Sequence, residues 1–151
     1  MTAAEMKRRV TRFFREYARR FEGSLQDPPK GDADGVVVAF ADYFVGSGPA
    51  GVHGGKNGIK FKFVIGRGFA YYRKIGTVAM KIAKLDVTRL DPLHAMASVT
   101  WDSRYVRPKD GAKVRIFFTN FYFVRLQRGA PKIFAYVTGD EQALLKKHGL
   151  A

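Results

Sequence analysis

Three histidines are the first candidates for acid–base chemistry in this sequence. His53 could serve as a general base at the mouth of a cavity, but in a glycine-rich stretch a solvated loop histidine is the simpler interpretation. His94 opens a strand, and His148 lies near the end of the last helix, where the helix dipole favours a cation. We expect none of them to pair with a carboxylate, and no H-x-x-x-H or H-E-x-x-H motif occurs. The sequence therefore predicts no metal site and no cofactor, and it assigns no catalytic residue.

Two glycine runs and the missing cysteines limit the chemistry further. Residues 54–58 and 66–68 precede helical segments, but neither run matches G-x-x-x-x-G-K-[ST] or a strand-borne G-x-G-x-x-G. We interpret both as turns. The absence of cysteine excludes a disulfide, a thiolate zinc site and a cysteine nucleophile.

Aromatic side chains are the strongest remaining signal, with 13 Phe, 7 Tyr and 1 Trp. On the strand that starts near Leu93, every second residue is apolar, and its small members would leave space beside Trp101. On the next strand, Asn120 and Tyr122 share one phase with Ile116 and Phe118. These residues predict a cavity lined with rings and a few polar groups, with simple packing of the rings against one another as the alternative.

The opposite face of that second strand is equally apolar, since it carries Phe117, Phe121 and Phe123. A strand that is apolar on both faces is expected to be buried on both. One face would meet the helices and the other a partner subunit. The sequence therefore predicts a homodimer that associates through the sheet.

The open side of this predicted cavity must be covered by helices. Apolar residues from Met6 to Leu25 recur at three- and four-residue steps, with arginines on the other side, which predicts an amphipathic helix of about five turns. A polar loop over residues 26–35 follows. We expect a second helix from about Ala33, capped by Asp32 or Asp34, that carries Val37, Val38, Phe40, Ala41 and Phe44 inward and ends at residues 46–49. Residues 50–58 would form a loop or a short edge strand, and residues 59–73 a helix broken near residues 66–68.

Past Gly76 the pattern changes to long β-rich segments over residues 77–90, 93–106, 113–126 and 132–138. Short connections join them, which favours antiparallel neighbours. Residues 140–148 predict a short closing helix, with Thr138 or Gly139 near its cap and Gly149 just past its end. We expect one α+β domain over residues 1–151: a curved antiparallel sheet of four long strands, plus a possible short edge strand, packed on N-terminal helices.

The net charge of +14 requires an explanation. Its cations are interleaved with Phe, Tyr, Ile and Val, so they decorate folded elements rather than a disordered tail. A solvated surface that keeps the protein soluble would account for them. Nucleic-acid binding stays an alternative, although no recognised nucleic-acid-binding motif occurs.

The order of elements resembles the nuclear transport factor 2-like superfamily, with its cystatin-like cone. The resemblance rests on the tyrosine in the first helix, on residues 40–44 and on the strand segments 99–101 and 133–136. It is closest to the SnoaL-like and ketosteroid-isomerase-like branches. It implies a homodimer formed through the sheet and an apolar or polycyclic ligand in the cone, with acid–base isomerase, cyclase or dehydratase chemistry if the ligand is turned over.

The resemblance can be carried to individual positions. Tyr17 falls where the isomerase branch has its oxyanion-binding tyrosine. The general-base aspartate would fall near Gly48, where there is no carboxylate, and the second acid would fall at about Tyr122. We therefore expect no ketosteroid isomerase activity.

Our leading hypothesis is a cavity that binds a small, largely apolar molecule. Its predicted binding residues are Tyr17, Asn120 and Tyr122 as hydrogen-bonding groups and Tyr43, Phe63, Tyr72 and Trp101 as walls. The alternative is a non-catalytic module whose basic surface binds an acidic protein or nucleic acid. The first 30 residues contain no apolar stretch typical of a secretory signal, and no segment approaches the length of a membrane span, so we expect a cytoplasmic protein without membrane contact.

Overall fold

The computed structural model describes residues 1–26, 29–30 and 33–151. The first helix, α1 (Ala3–Leu25), begins with a capping box in which the side chains of Thr2 and Glu5 satisfy each other's backbone N–H groups. Its predicted apolar stripe is buried, with Met6, Val10 and Phe14 fully inaccessible to solvent. The amphipathic helix is therefore confirmed.

The predicted second helix is mostly wrong. Only α2 (Ala33–Val37) is helical, and it is followed by strand β1 (Phe40–Gly48) and edge strand β2 (Gly51–Lys56). Asp32, one of the two predicted caps, lies outside the described residues. Phe40 and Phe44 point inward as expected, but they do so with the period of a strand, and Val38 is exposed.

Parallel pairing with a distant strand explains why residues 40–48 are extended. Gly46 packs against the ring of Tyr136, and an added Cβ would lie 2.3 Å from that ring. Any larger residue at position 46 would require the Tyr136 ring to move.

Helix α3 (Ile59–Lys74) is confirmed, but the expected break near residues 66–68 is wrong. Gly66 and Gly68 lie inside a continuous helix with open space around them. A glycine inside a helix costs about 1 kcal/mol relative to alanine, which lowers stability without ending the helix.

The four predicted long segments are the strands β3 (Thr77–Arg89), β4 (His94–Val106), β5 (Lys113–Arg125) and β6 (Lys132–Val137). They form the expected antiparallel meander, and β1 and β2 extend it to six strands in the order β2-β1-β6-β5-β4-β3. The β1–β6 pair is parallel. Bulges in the β3–β4 and β5–β6 ladders bend the sheet, so its inner face is concave.

Helix α4 (Glu141–Lys147) closes the chain. Asp140, rather than the predicted Thr138 or Gly139, caps it by accepting from the backbone N–H of Ala143. Gly149 follows with a φ of +72°, as expected for a residue just past a helix end. None of the described helices is long and apolar enough to cross a membrane.

Candidate functional site

A cavity of about 200 Å³ lies between the concave face of the sheet and the helices α1 and α3. The residues that line it share a buried or half-buried side chain and come from seven elements and the start of α4: Tyr17, Phe21, Phe40, Phe61, Ile65, Tyr72, Met80, Trp101, Phe118, Asn120, Tyr122, Tyr136, Thr138 and Glu141. Most of them are apolar or aromatic, and the polar groups are few. This composition is typical of small-molecule sites.

Five of the seven predicted binding residues line this cavity. They are Tyr17, Tyr72, Trp101, Asn120 and Tyr122.

The predicted walls Tyr43 and Phe63 do not line the cavity, and each is 70% exposed. Tyr43 lies on β1, on the face opposite Phe40 and Phe44, because successive strand residues point to opposite sides. Phe63 lies on the solvent side of α3, whereas Phe61 faces the cavity. The residues of β1 and α3 that do line the cavity lie nearby in the sequence, with Phe40 three positions from Tyr43 and Phe61 two positions from Phe63.

Strand β4 supplies the space beside Trp101 in the way that its alternation predicts. Ala95, Ala97 and Val99 are fully buried, and Ala97 lies opposite Tyr122 in the β4–β5 ladder. A large ring opposite a small residue leaves room above the sheet.

The Tyr122 hydroxyl is the centre of the polar group in the cavity. It accepts a hydrogen bond from Nε1–H of Trp101 at 3.1 Å and another from Nδ2–H of Asn120 at 3.3 Å. Within the described part of the chain it donates to no acceptor, so its own hydrogen is available to a molecule in the cavity. Burial raises the pKa of Tyr122 to about 12, although these two donors act in the opposite direction, so the group stays a neutral donor.

Tyr17 lies close to this group, with ring centroids 6.2 Å from Trp101 and 6.4 Å from Tyr122. Burial raises the pKa of the Tyr17 hydroxyl well above its ordinary value. Tyr17, which the resemblance placed at the oxyanion-binding position, and Tyr122, which it placed at the position of the second acid, therefore lie close together and line the same cavity.

Glu141 is a carboxylate of the cavity that sequence reasoning missed. Tyr72 donates its hydroxyl hydrogen to this carboxylate, with distances of 2.8 and 3.0 Å to the two oxygens. Burial raises the pKa of Glu141, and the bond from Tyr72 partly offsets the rise. An acidic residue in the first turn of a helix is common, so the sequence carries no signal that sets Glu141 apart.

The other sites considered for chemistry do not join this cavity. His53 is exposed on the edge strand β2, and His148 Nδ1 lies 2.9 Å from the carbonyl oxygen of Leu144. His94 Nδ1 lies 2.9 Å from the carboxylate of Asp91, which corrects the expectation that no histidine pairs with a carboxylate. Among the residues described, no three His, Asp or Glu side chains lie close enough together to hold a metal ion.

A curved, unclosed sheet covered on one face by helices, with a small aromatic cavity between them, is the architecture of nuclear transport factor 2-like proteins. The chain belongs to the family described as NTF2-like protein (DUF6841), which matches residues 4–141. The resemblance to the nuclear transport factor 2-like superfamily is confirmed.

Solved structures show the same fold. Aln2 from a Streptomyces species is 16% identical with a TM-score of 0.67 over 97% of this chain and 99% of its own. A ketosteroid isomerase-like protein from Erwinia carotovora atroseptica is 13% identical with a TM-score of 0.61, over 87% and 92%. A proposed scytalone dehydratase from Novosphingobium aromaticivorans is 11% identical with a TM-score of 0.64, over 89% and 82%. No curated protein matches the chain.

Proposed function

We propose that this protein binds a small, largely apolar molecule that carries a carbonyl or hydroxyl oxygen. The observation that carries the proposal is the Tyr122 hydroxyl, which is held by Trp101 and Asn120 and keeps its own hydrogen for a ligand. An oriented donor inside an apolar wall favours a ligand with one acceptor on an apolar body.

The volume of the cavity limits the size of this ligand. A dry cavity of roughly 150 Å³ in another protein binds benzene. About 200 Å³ therefore suits a molecule of one or two rings rather than a four-ring steroid.

Acid–base chemistry on such a ligand would fall to Glu141. A buried carboxylate with a raised pKa is a stronger base than an exposed one, and the hydroxyl of Tyr72 fixes its orientation. With a ketone oxygen on Tyr122, the Glu141 carboxylate would take a proton from the adjacent carbon. The C–H electron pair would move into an enolate, whose oxygen accepts the Tyr122 hydrogen bond. If the ketone is β,γ-unsaturated, the enolate extends over the C=C bond as a dienolate, and return of the proton to the γ-carbon would move the double bond into conjugation with the carbonyl without a cofactor.

The outer face of the sheet supports the proposed homodimer. Phe117 is 52% exposed, Phe121 39% and Val137 43%, and Phe123 and Phe134 lie beside each other with ring centroids 6.3 Å apart. Exposed large apolar side chains grouped on one sheet face favour association, and a second copy of the same face could cover them.

Binding in the cavity is tested by calorimetric titration with 1-tetralone, a two-ring ketone. Asn120→Phe would fill the cavity and abolish the binding heat. The matched control is Thr119→Phe, one residue away on the other face of β5, which should bind like the wild type. Circular dichroism would establish that both variants are folded. Equal binding by the two folded variants, or none by the wild type, would contradict the proposal.

A further inference from the structure

The outer face of α1 carries cations in a regular row. At 100° per residue, Arg8, Arg12, Arg15 and Arg19 fall within an arc of about 60° and span about 16 Å along the axis. This arc lies on the side of the helix opposite the buried stripe. We call these four side chains the arginine row.

Three of the four arginines in the row form no ion pair with any described carboxylate. Arg8, Arg12 and Arg15 are exposed, and no described carboxylate lies within ion-pair distance of them. Only Arg19 is paired, with Glu16. Free guanidinium groups aligned along one helix attract a partner whose negative charges are also arranged in a line.

Strand β3 adds cations next to the row. A shallow groove between α1 and β3 is lined by Lys7 and Arg15 on the helix and by Lys81 and Lys84 on the strand. Glu22 contacts Lys81 at 3.4 Å and Asp86 contacts Lys84 at 3.6 Å, so the strand side is partly compensated. The remaining positive charge follows the arginine row.

The same surface lacks what a protein or membrane partner would need. Between the arginines the described helix exposes only small or polar residues such as Ala4 and Thr11, and its large apolar side chains face the core. Protein interfaces need apolar or aromatic anchors at their centre. An interfacial membrane helix needs a free apolar face, and that of α1 is buried in the fold.

We propose that the arginine row binds the phosphate backbone of duplex nucleic acid without reading its sequence. Guanidinium groups match phosphate oxygens in geometry, and the attraction alone supplies sequence-independent affinity. No described aromatic ring is exposed on this face to stack on unpaired bases, which favours a duplex over a single strand. The row and the cavity lie on opposite sides of α1, so each proposal can fail without the other.

Fluorescence anisotropy with a labelled duplex of about 20 base pairs and mixed sequence tests this proposal through its salt dependence. Four phosphate contacts predict that affinity falls about 150-fold between 50 and 200 mM salt. In the variant Arg8→Gln/Arg12→Gln/Arg15→Gln only the contact of Arg19 remains. The same rise in salt should therefore lower the affinity of this variant only about fourfold. At 50 mM salt this variant should bind at least tenfold more weakly than the wild type.

The matched control removes the same charge elsewhere, as Lys60→Gln/Lys113→Gln/Lys147→Gln on α3, β5 and α4. All three lysines are exposed, and the control should keep the salt dependence of the wild type. Equal loss in both variants would mean that net charge alone acts, and would overturn the proposal. No binding at 50 mM salt, or equally tight binding of poly-L-glutamate, would overturn it as well.

Discussion

The hydroxyl of Tyr122 is the atom on which the polar part of the cavity depends, and Tyr122→Phe removes it while keeping the ring. The phenylalanine ring fills the same space against Ala97, so packing changes little. The N–H groups of Trp101 and Asn120 lose their acceptor.

The size of the effect follows from the burial of those two donors. Trp101 is 2% exposed, and a buried donor left without a partner costs about 1–3 kcal/mol. Asn120 is only half-buried, so the loss of its acceptor adds less. We expect a loss of about 1–2 kcal/mol in the free energy of unfolding, or a fall in Tm of roughly 3–8 °C for a domain of this size.

Urea unfolding followed by circular dichroism measures this loss, with Tyr43→Phe as the control. Tyr43 is 70% exposed, so removal of its hydroxyl should change stability by less than about 0.5 kcal/mol. An unchanged slope of free energy against urea would show that the denatured state is unaffected. Equal stabilities of the two variants would refute the role assigned to the Tyr122 hydroxyl.

Three further predictions concern the scaffold. The hydrogen bond from Arg115 lowers the pKa of Asp102 from 3.8 to about 2. Asp102→Asn should therefore lower the free energy of unfolding by about 1–2 kcal/mol at neutral pH. This loss should shrink as pH falls from 4 through 2 in acid unfolding series, and a loss independent of pH would contradict it. Phe121→Glu should convert a dimer to a monomer in light scattering; a monomeric wild type would exclude the dimer. Gly46→Ala should lower the free energy of unfolding by more than about 1 kcal/mol, because the added Cβ meets the ring of Tyr136. Gly66→Ala, at a helix position with open space around it, should raise it by about 0.5–1 kcal/mol. If thermal unfolding showed that both substitutions change stability in the same direction, the close approach at Gly46 would be unimportant.

The long strands could be predicted from sequence because their signals are local. The segments that became β3 to β6 alternate with period two and are separated by turn residues such as Asp91 and Pro92. The same alternation placed Trp101 and Tyr122 on the inner face correctly.

The failures arose where distant contacts decide the structure. Residues 40–48 are apolar enough for a helix, and their strand conformation depends on pairing with β6, some 90 positions further along the chain. The helical periodicity of the sequence could not distinguish Phe63 from Phe61, since both are apolar. Glu141 looked like an ordinary residue of the first helical turn, and only the tertiary fold brings it to Tyr72.

Native mass spectrometry tests the central claim most directly. The wild type would be incubated with a series of one- and two-ring ketones and phenols and sprayed without denaturation. The account predicts one bound molecule per chain for at least one compound and none for the cavity-filled Asn120→Phe variant. A folded wild type that retains no compound from the series would contradict it.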